Sequence, residues 1–402
     1  MSIRAIPSRR VCFFLCPNVL GGLEVNAFAL ARSLRSTRYP VSFVFPWSNP
    51  ELTPYVPCRV KIASLRDWKD FKQLASWLRS NKIELIQNFG YSHGGAAAAS
   101  LARIPSVWAI AGFRREDSKS LSVAIAKDTV IQKMALLSPY VTVPSKALEA
   151  HFQCIPNFHV ERIPYGVDMN QLKAATRPNG RCLQKLLRLH RKNKIVGMVG
   201  NFYPEKRHLD FLRAGARICR ADPRVRLVIA GNCFHASSWL HRSTRAYQRL
   251  VLSTARSLNL EKKLLIAEFS PESRAIFYQA VDVLLSPARE AFGLAMAEAM
   301  ALGRPVVSVN EGGGHDLIQD HVNGCLVPLG DARQMAEVTL RLLEDERLAQ
   351  RLGEKSALRI RQHFTIRQQA QLSQALYDRI LDSEDRSSGS QTTPYRRRMA
   401  SA

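Results

Sequence analysis

Residues 282–314 read DVLLSPAREAFGLAMAEAMALGRPVVSVNEGGG, and the fold is decided there. Val283, Leu284 and Leu285 form a short apolar run suited to a strand covered on both faces. Ser286–Ala291 then turns polar and reads as a loop. A helix begins near Phe292-Gly293, and Gly303 followed by Pro305 marks its end. Pro305–Val309 is the next apolar run. Strand, loop, helix and strand in that order imply a parallel sheet. In open sheets of this kind ligands bind beyond the carboxyl ends of the strands, which is where the 286–291 loop falls. Two acids, Glu290 in the loop and Glu298 about a turn into the helix, have seven residues between them. The intervening Ala291, Gly293, Ala295 and Ala297 are small enough for a ligand to approach the backbone. Free N–H groups and the helix dipole favour a diphosphate at such a helix start. An acid on the same helix can accept hydrogen bonds from ribose hydroxyls.

The same rhythm extends in both directions. Towards the N-terminus, Val11–Leu15, Val41–Phe45, Glu84–Gln87, Ser106–Ile110 and Tyr140–Val143 read as strands. Helical stretches lie at about Glu24–Leu34, Asp67–Ser80 and Gly95–Leu101. A second series of strands runs Lys194–Val199, Val225–Ala230, Lys263–Ala267, Val281–Leu285 and Pro305–Val309. Gly166–Asn193 interrupts the pattern with a polar, basic stretch and reads as a linker. Gln334–Leu343, Glu346–His363 and about Ile366–Leu381 are amphipathic helices. The expected organisation is an N-terminal Rossmann-like domain (1–165), a linker (166–193), a second Rossmann-like domain (194–365), a helix packing back on the first domain (366–381) and a disordered basic tail (382–402). The fold class is α/β, with two parallel sheets facing an interdomain cleft.

Of the 402 residues 46% are hydrophobic, enough for a sizeable core, while 58 Lys and Arg against 33 Asp and Glu leave a formal net charge of +25. Such a field attracts nucleic acid, anionic lipid or phosphorylated substrates. No helix-turn-helix, zinc finger or aromatic-basic RNA motif accompanies it, so no nucleic acid is expected as a partner. The eight cysteines are scattered, without C-x-x-C pairs or zinc spacing, which points to a reducing, cytoplasmic setting. The apolar run Val11–Cys16 is too short for a signal-peptide core. No stretch reaches the roughly 18–20 apolar residues of a spanning helix, so any membrane contact is expected to be peripheral, with an anionic inner face.

The 290–307 segment resembles the family 4 retaining glycosyltransferases of the GT-B class (glycosyl transferases group 1). Their signature opens with E-G-F-G and closes with E-A-M-A-x-G-x-P-V-V. This chain has Glu290-Ala291-Phe292-Gly293 and Glu298-Ala299-Met300-Ala301-Leu302-Gly303-Arg304-Pro305-Val306-Val307. The resemblance implies that Glu298 binds the donor ribose and that Glu290 lies beside the transferred sugar. Phe292, Gly293 and Leu294, at the helix start, would meet the diphosphate. Gly200-Asn201 through Lys206 resembles the family's Gly-Arg loop and lysine, which grip the diphosphate. Asn201 stands where Arg is common, so Lys206 and Arg207 are expected to carry more of that task. Gly312-Gly313, Ile163–Asp168 and Val141–Lys146 resemble further family turns. Gly21-Gly22-Leu23-Glu24 resembles the G-G-x-E turn near the donor phosphates. The resemblance covers about residues 10–375 and is stronger in the C-terminal half.

One departure stands out. Many members carry a histidine after the strand matched by Val107–Ile110, but this chain reads Ala111-Gly112-Phe113-Arg114. His93, Arg114 and Arg115 are the candidates for the acceptor or sugar side. The expected partners are a nucleotide-sugar donor and an unidentified acceptor. Neither a cofactor nor a metal is expected. Rival readings are a GT-B nucleotide-sugar epimerase and a basic membrane- or nucleic-acid-binding protein without transferase activity.

Overall fold

Every residue of Val11–Leu15 and of Leu85–Phe89 is buried. Strands covered on both faces belong inside a parallel sheet flanked by helices. The computed structural model realises this twice, and describes residues 9–15, 21–35, 39–45, 62–64, 71–90, 93–112, 136–174, 190, 192–232, 239–267 and 273–388. The chain divides into two units, Met1–Gly166 with Ile366–Ala402 and Val167–Thr365.

In the first unit the strands are β1 (Val11–Leu15), β2 (Val41–Phe45), β3 (Ile62–Ser64), β4 (Leu85–Phe89), β5 (Ser106–Ala109), β6 (Tyr140–Val143) and β7 (His159–Arg162). They pair in parallel in the order β3-β2-β1-β4-β5-β6-β7. Helices α1 (Gly22–Arg35), α2 (Phe71–Ser80), α3 (His93–Ala102) and α4 (Lys146–Gln153) connect them. The two-residue period of β1 divides the core. Val11, Phe13 and Leu15 pack with Phe28 and Leu30 of α1, whereas Cys12 and Phe14 pack with Leu74 and Leu78 of α2 and Ala98 of α3.

In the second unit α5 (Met169–Ala174) precedes β8 (Lys194–Val199), α6 (His208–Ala221), β9 (Val225–Ala230), α7 (Trp239–Ser257), β10 (Leu264–Ala267), α8 (Arg274–Ala280) and β11 (Val283–Ser286). Then come α9 (Leu294–Ala301), β12 (Val306–Val309), α10 (Gly314–Leu317), β13 (Cys325–Val327), α11 (Ala332–Glu344) and α12 (Glu346–His363). The parallel order is β10-β9-β8-β11-β12-β13. In both sheets strand order reverses beside the unit's opening strand, at β1–β4 and at β8–β11. Such reversals create the crevice in which ligands of open α/β sheets bind.

The last helix, α13 (Ile366–Ser388), belongs to the first unit. Its Ala370, Leu376, Tyr377, Ile380 and Leu381 enter the core beside β1 and α1. Polar contacts fix its register. Gln369 and Asn26 exchange amide hydrogen bonds of 2.8 and 2.9 Å, and Gln369 also accepts from the Gly166 amide at 2.7 Å. The Tyr377 hydroxyl donates to Gln87 and the Tyr39 hydroxyl to Asp378.

Three strands differ from the sequence reading. β7 is an edge strand of partly exposed polar residues, and β13 is a three-residue edge strand next to a polar turn. β7 is too polar, and β13 at three residues too short, to give an apolar run that can be read. β3 is the third, also an edge. Within the stretch read as a linker, Met169–Ala174 forms α5 and packs in the second unit, where Gln171 accepts from Arg274 at 3.2 Å. Residues 175–189, residue 191 and the tail from 389 lie outside the described residues.

Candidate active site

The second unit gathers most of the sequence-predicted residues around the β8–β11 crevice. Gly200 and Asn201 follow β8, Glu290 lies in the loop after β11, and Gly312-Gly313 follow β12. Lys206 ends a short 3₁₀ turn, Pro204–Lys206, that brings its side chain back over Gly200. The Lys206 ammonium donates to both Glu290 oxygens at 2.7 and 2.9 Å. The lysine is 32% exposed and the glutamate 21%, so the pair stands half in solvent.

Backbone geometry sets the crevice wall. Gly293 caps α9 at φ +91° and supplies no side chain to the first-turn amides. Gly312, at φ +62°, leaves no room for a Cβ, which would sit 2.3 Å from the Glu290 carbonyl. The Gly313 amide donates to that same carbonyl at 2.8 Å, so the glycine pair holds the Glu290 loop. Phe292, predicted at the donor, instead buries its ring against Phe364 at 5.8 Å between centroids, and only its backbone belongs to the wall. Leu294 opens α9 half-buried.

Glu298 projects from α9 and is 6% exposed. Arg274 donates to its Oε1 at 2.8 Å and the Tyr278 hydroxyl to its Oε2 at 2.9 Å. Both partners lie one turn apart on α8. Burial raises the Glu298 carboxyl above its ordinary value, against the opposing pull of Arg274 and Tyr278. Each carboxylate oxygen has two acceptor positions, so one on each remains after these bonds. Two vicinal hydroxyls match that remainder. The sequence alone holds no signal linking Arg274 to Glu298, because the two come together only when α8 packs beside α9.

The Lys206 loop also rests on residues that sequence reasoning passed over. His208 is fully buried, stacks on Phe202 with centroids 4.9 Å apart, and donates through Nε2 to the Gly200 carbonyl at 3.1 Å. Burial lowers its pKa to about 4, so the ring is neutral at neutral pH. Asn201 accepts from the Asn232 amide at 3.0 Å and so ties the β8 loop to the β9 loop. Arg207 adopts φ +54° and donates to Asp210 at 2.6 Å; its charge is shared with an acid rather than offered whole to a phosphate.

The first unit holds the remaining candidates. The Gly21 amide donates to Glu24 at 2.9 Å, so the turn caps its own helix and that N–H is not open to a phosphate. Gly22 begins α1. Burial raises the Glu24 carboxyl to about 7. His93 starts α3, directly after β4, at that unit's own strand-order reversal. Arg114 and Arg115 lie outside the described residues.

Among the described residues one group of metal-ligand type gathers, Asp320, His321 and Cys325, with donor atoms within 4.8 Å of one another. It stands at the start of β13, the opposite end of the strands from Lys206. Burial raises the Cys325 thiol to about 11, which disfavours the thiolate a metal needs. No helix among the described residues is long and apolar enough to cross a membrane.

The fold is that of the GT-B class of glycosyltransferases. HepE of Anabaena, solved with UDP and glucose, superposes with a TM-score of 0.76 over 92% of this chain and 100% of that one, at 20% identity. Sucrose-phosphate synthase of Thermosynechococcus elongatus does so at 0.74 over 93% and 100%, also at 20% identity. Two protein-family models match the sequence, Glycosyltransferase Family 4 over residues 20–171 and Glycosyl transferases group 1 over residues 184–359. The later half of the chain is thus similar to the group 1 glycosyltransferases and the earlier half to Glycosyltransferase Family 4. Among curated relatives, the N-acetyl-alpha-D-glucosaminyl L-malate synthase of Bacillus anthracis is 28% identical over 53% of this chain and 49% of its own length. The D-inositol 3-phosphate glycosyltransferase of Corynebacterium aurimucosum is 28% identical over 57% and 53%. The match thus spans about half the length of these relatives.

Proposed function

We propose that the protein is a retaining, metal-independent hexosyltransferase. Its donor would be a nucleotide diphosphate sugar, a UDP-sugar first and a GDP-sugar next. Its acceptor would be a hydroxyl of a glycan, lipid-linked or small-molecule substrate. The observation that carries this reading is the convergence of Lys206, Glu290 and the uncapped start of α9 on one crevice, with Glu298 one turn behind. That HepE was solved with UDP and with UDP-glucose supports the choice of donor.

In this reading Glu298 accepts the two ribose hydroxyls at its remaining positions. The α9 amides and Lys206 receive the diphosphate. Lys206 must then loosen its hold on Glu290. A half-exposed ion pair is worth about 0–1 kcal/mol, so the exchange costs little. Glu290 becomes available to the sugar hydroxyls. As the anomeric C–O bond breaks, its electron pair moves onto the diphosphate, and Lys206 stabilises the growing charge. The acceptor oxygen bonds to the anomeric carbon on the face the diphosphate leaves. The acceptor proton passes to a leaving-phosphate oxygen, and configuration is kept.

The test is a panel of nucleotide sugars scanned for thermal stabilisation, because a ligand of the folded state raises its melting temperature. One donor should stabilise the wild type and fail to stabilise Glu298→Ala, and that variant should lose turnover. Equal stabilisation and turnover in the variant would refute the site. NMR of the product's anomeric centre checks retention, and turnover unaffected by EDTA checks metal independence.

A further inference from the structure

The basic charge of the second unit is not spread evenly. Residues 207–263 hold twelve Arg and Lys against three Asp and Glu. Residues 264–365, the remainder of the unit, hold ten against fourteen. Sheet order turns this sequence asymmetry into a spatial one, since β9 and β10, with α6 and α7, lie on one side of β8 and β11–β13 on the other.

On α6 and α7 the excess forms two stripes. Arg213, Arg217 and Arg220 are spaced i, i+4, i+7 and all exposed, which puts them on one helix face. Arg245, Arg249 and Arg256, spaced i, i+4, i+11, line the solvent face of α7. The opposite face of α7 buries Val251 and Ala255 in the core. The three acids cancel little of this. Asp210 is buried and shared between Arg207 and Arg213, Asp222 pairs with Arg224, and Glu261 stands 3.9 Å from Arg256. Flanking the α7 stripe, Leu250 and Leu252 are 48% and 36% exposed.

We propose that the α6–α7 face docks on a bilayer surface bearing anionic headgroups. Charge complementarity selects an anionic partner, and the leucines select the bilayer among anionic partners. Leucine gains by entering the headgroup–acyl boundary. A single-stranded nucleic acid calls instead for aromatic platforms between the cations, and the described exposed face of α7 has none. The acidic excess on the far side of the sheet makes the unit a dipole, which orients it with this face towards the surface.

Full-length protein is sedimented with vesicles of phosphatidylcholine alone and with equimolar phosphatidylcholine and phosphatidylglycerol. Binding is expected only to the anionic vesicles. It should be lost in 1 M salt, where screening acts within about 3 Å. The triple variant Arg245→Glu, Arg249→Glu, Arg256→Glu should bind roughly a hundredfold more weakly, from about a fivefold contribution per arginine. Arg217→Glu with Arg220→Glu on α6 is an independent second variant and should also weaken binding. The control is Arg347→Glu, Arg351→Glu, Lys355→Glu on α12, where all three are exposed. It changes net charge equally and should bind nearly as the wild type does. Leu250→Ser with Leu252→Ser should weaken binding while keeping its salt sensitivity. Absence of anionic-vesicle binding, an equal loss in the α12 control, or unchanged binding in the leucine variant would overturn the proposal. So would a mobility shift of RNA in a protein that ignores the vesicles.

Discussion

At the residue scale the proposed donor site depends on how one buried carboxylate is held. Glu298 is buried with Arg274 as its counter-charge and Tyr278 as a second donor. Removing one member of a buried ion pair costs more than the pair itself contributes, because a charge is left without a partner. Arg274→Met should therefore lower unfolding free energy by about 3 kcal/mol or more in urea titrations. Without the guanidinium the Glu298 carboxyl rises further, so donor affinity in this variant should fall as pH is lowered, more steeply than in the wild type. Arg274→Lys should restore part of both. Lys206 behaves differently. Its pair with Glu290 is half-exposed, so Lys206→Ala should leave stability nearly unchanged but cut turnover roughly 10²–10³-fold, the range for loss of one transition-state donor. His208 supplies a pH dependence whose sign is fixed. Its folded pKa, about 4, lies below the ordinary 6.5. The unfolded chain then binds the extra proton first, so its contribution is complete above 6.5 and is lost as pH falls towards 4. His208→Gln should flatten the stability profile in that window, as followed by thermal melts between pH 4 and 7.

At the element scale the crevice is made by turns rather than by side chains. Gly293 sits at φ +91°, and a Cβ there would lie 2.0 Å from the Met296 methyl. The methyl can swing away; the backbone cannot. Gly293→Ala should cost about 1–2 kcal/mol, the penalty of left-handed backbone for an L-residue, and should weaken donor binding by tilting the start of α9. These turns were legible in the sequence, since glycines and a terminal Pro305 bracket the helix. So were the largely buried strands: the runs of β1, β8 and β9 match residue for residue, because burial on both faces demands mostly apolar residues. The edge strands β7 and β13 were not legible, because β7 is polar and partly exposed and β13 is only three residues long. Nor were the contacts of Arg274, Tyr278 and His208 legible. They depend on which helix face meets which loop, and local pattern does not encode that. Phe292 fits the helix start in sequence but its ring belongs to the core, a distinction only packing reveals.

At the scale of the whole molecule, the first unit is completed from the far end of the chain. α13 brings five core residues and the Gln369–Asn26 amide pair to α1 and β1. Ending the chain at Thr365 should abolish the calorimetric transition of the first unit while a transition of the second survives. An unaltered thermogram would contradict that assignment. The second unit carries the proposed donor chemistry, with Lys206 and Glu290 in the loops after β8 and β11 and Glu298 one turn into α9. The most direct test is the crystal structure of the protein with the nucleotide sugar that stabilises it best. The expected complex has the ribose hydroxyls on Glu298, the diphosphate on Lys206 and the α9 amides, and the sugar beside Glu290. A nucleotide bound elsewhere, with Arg274 and Tyr278 as the whole company of Glu298, would contradict it.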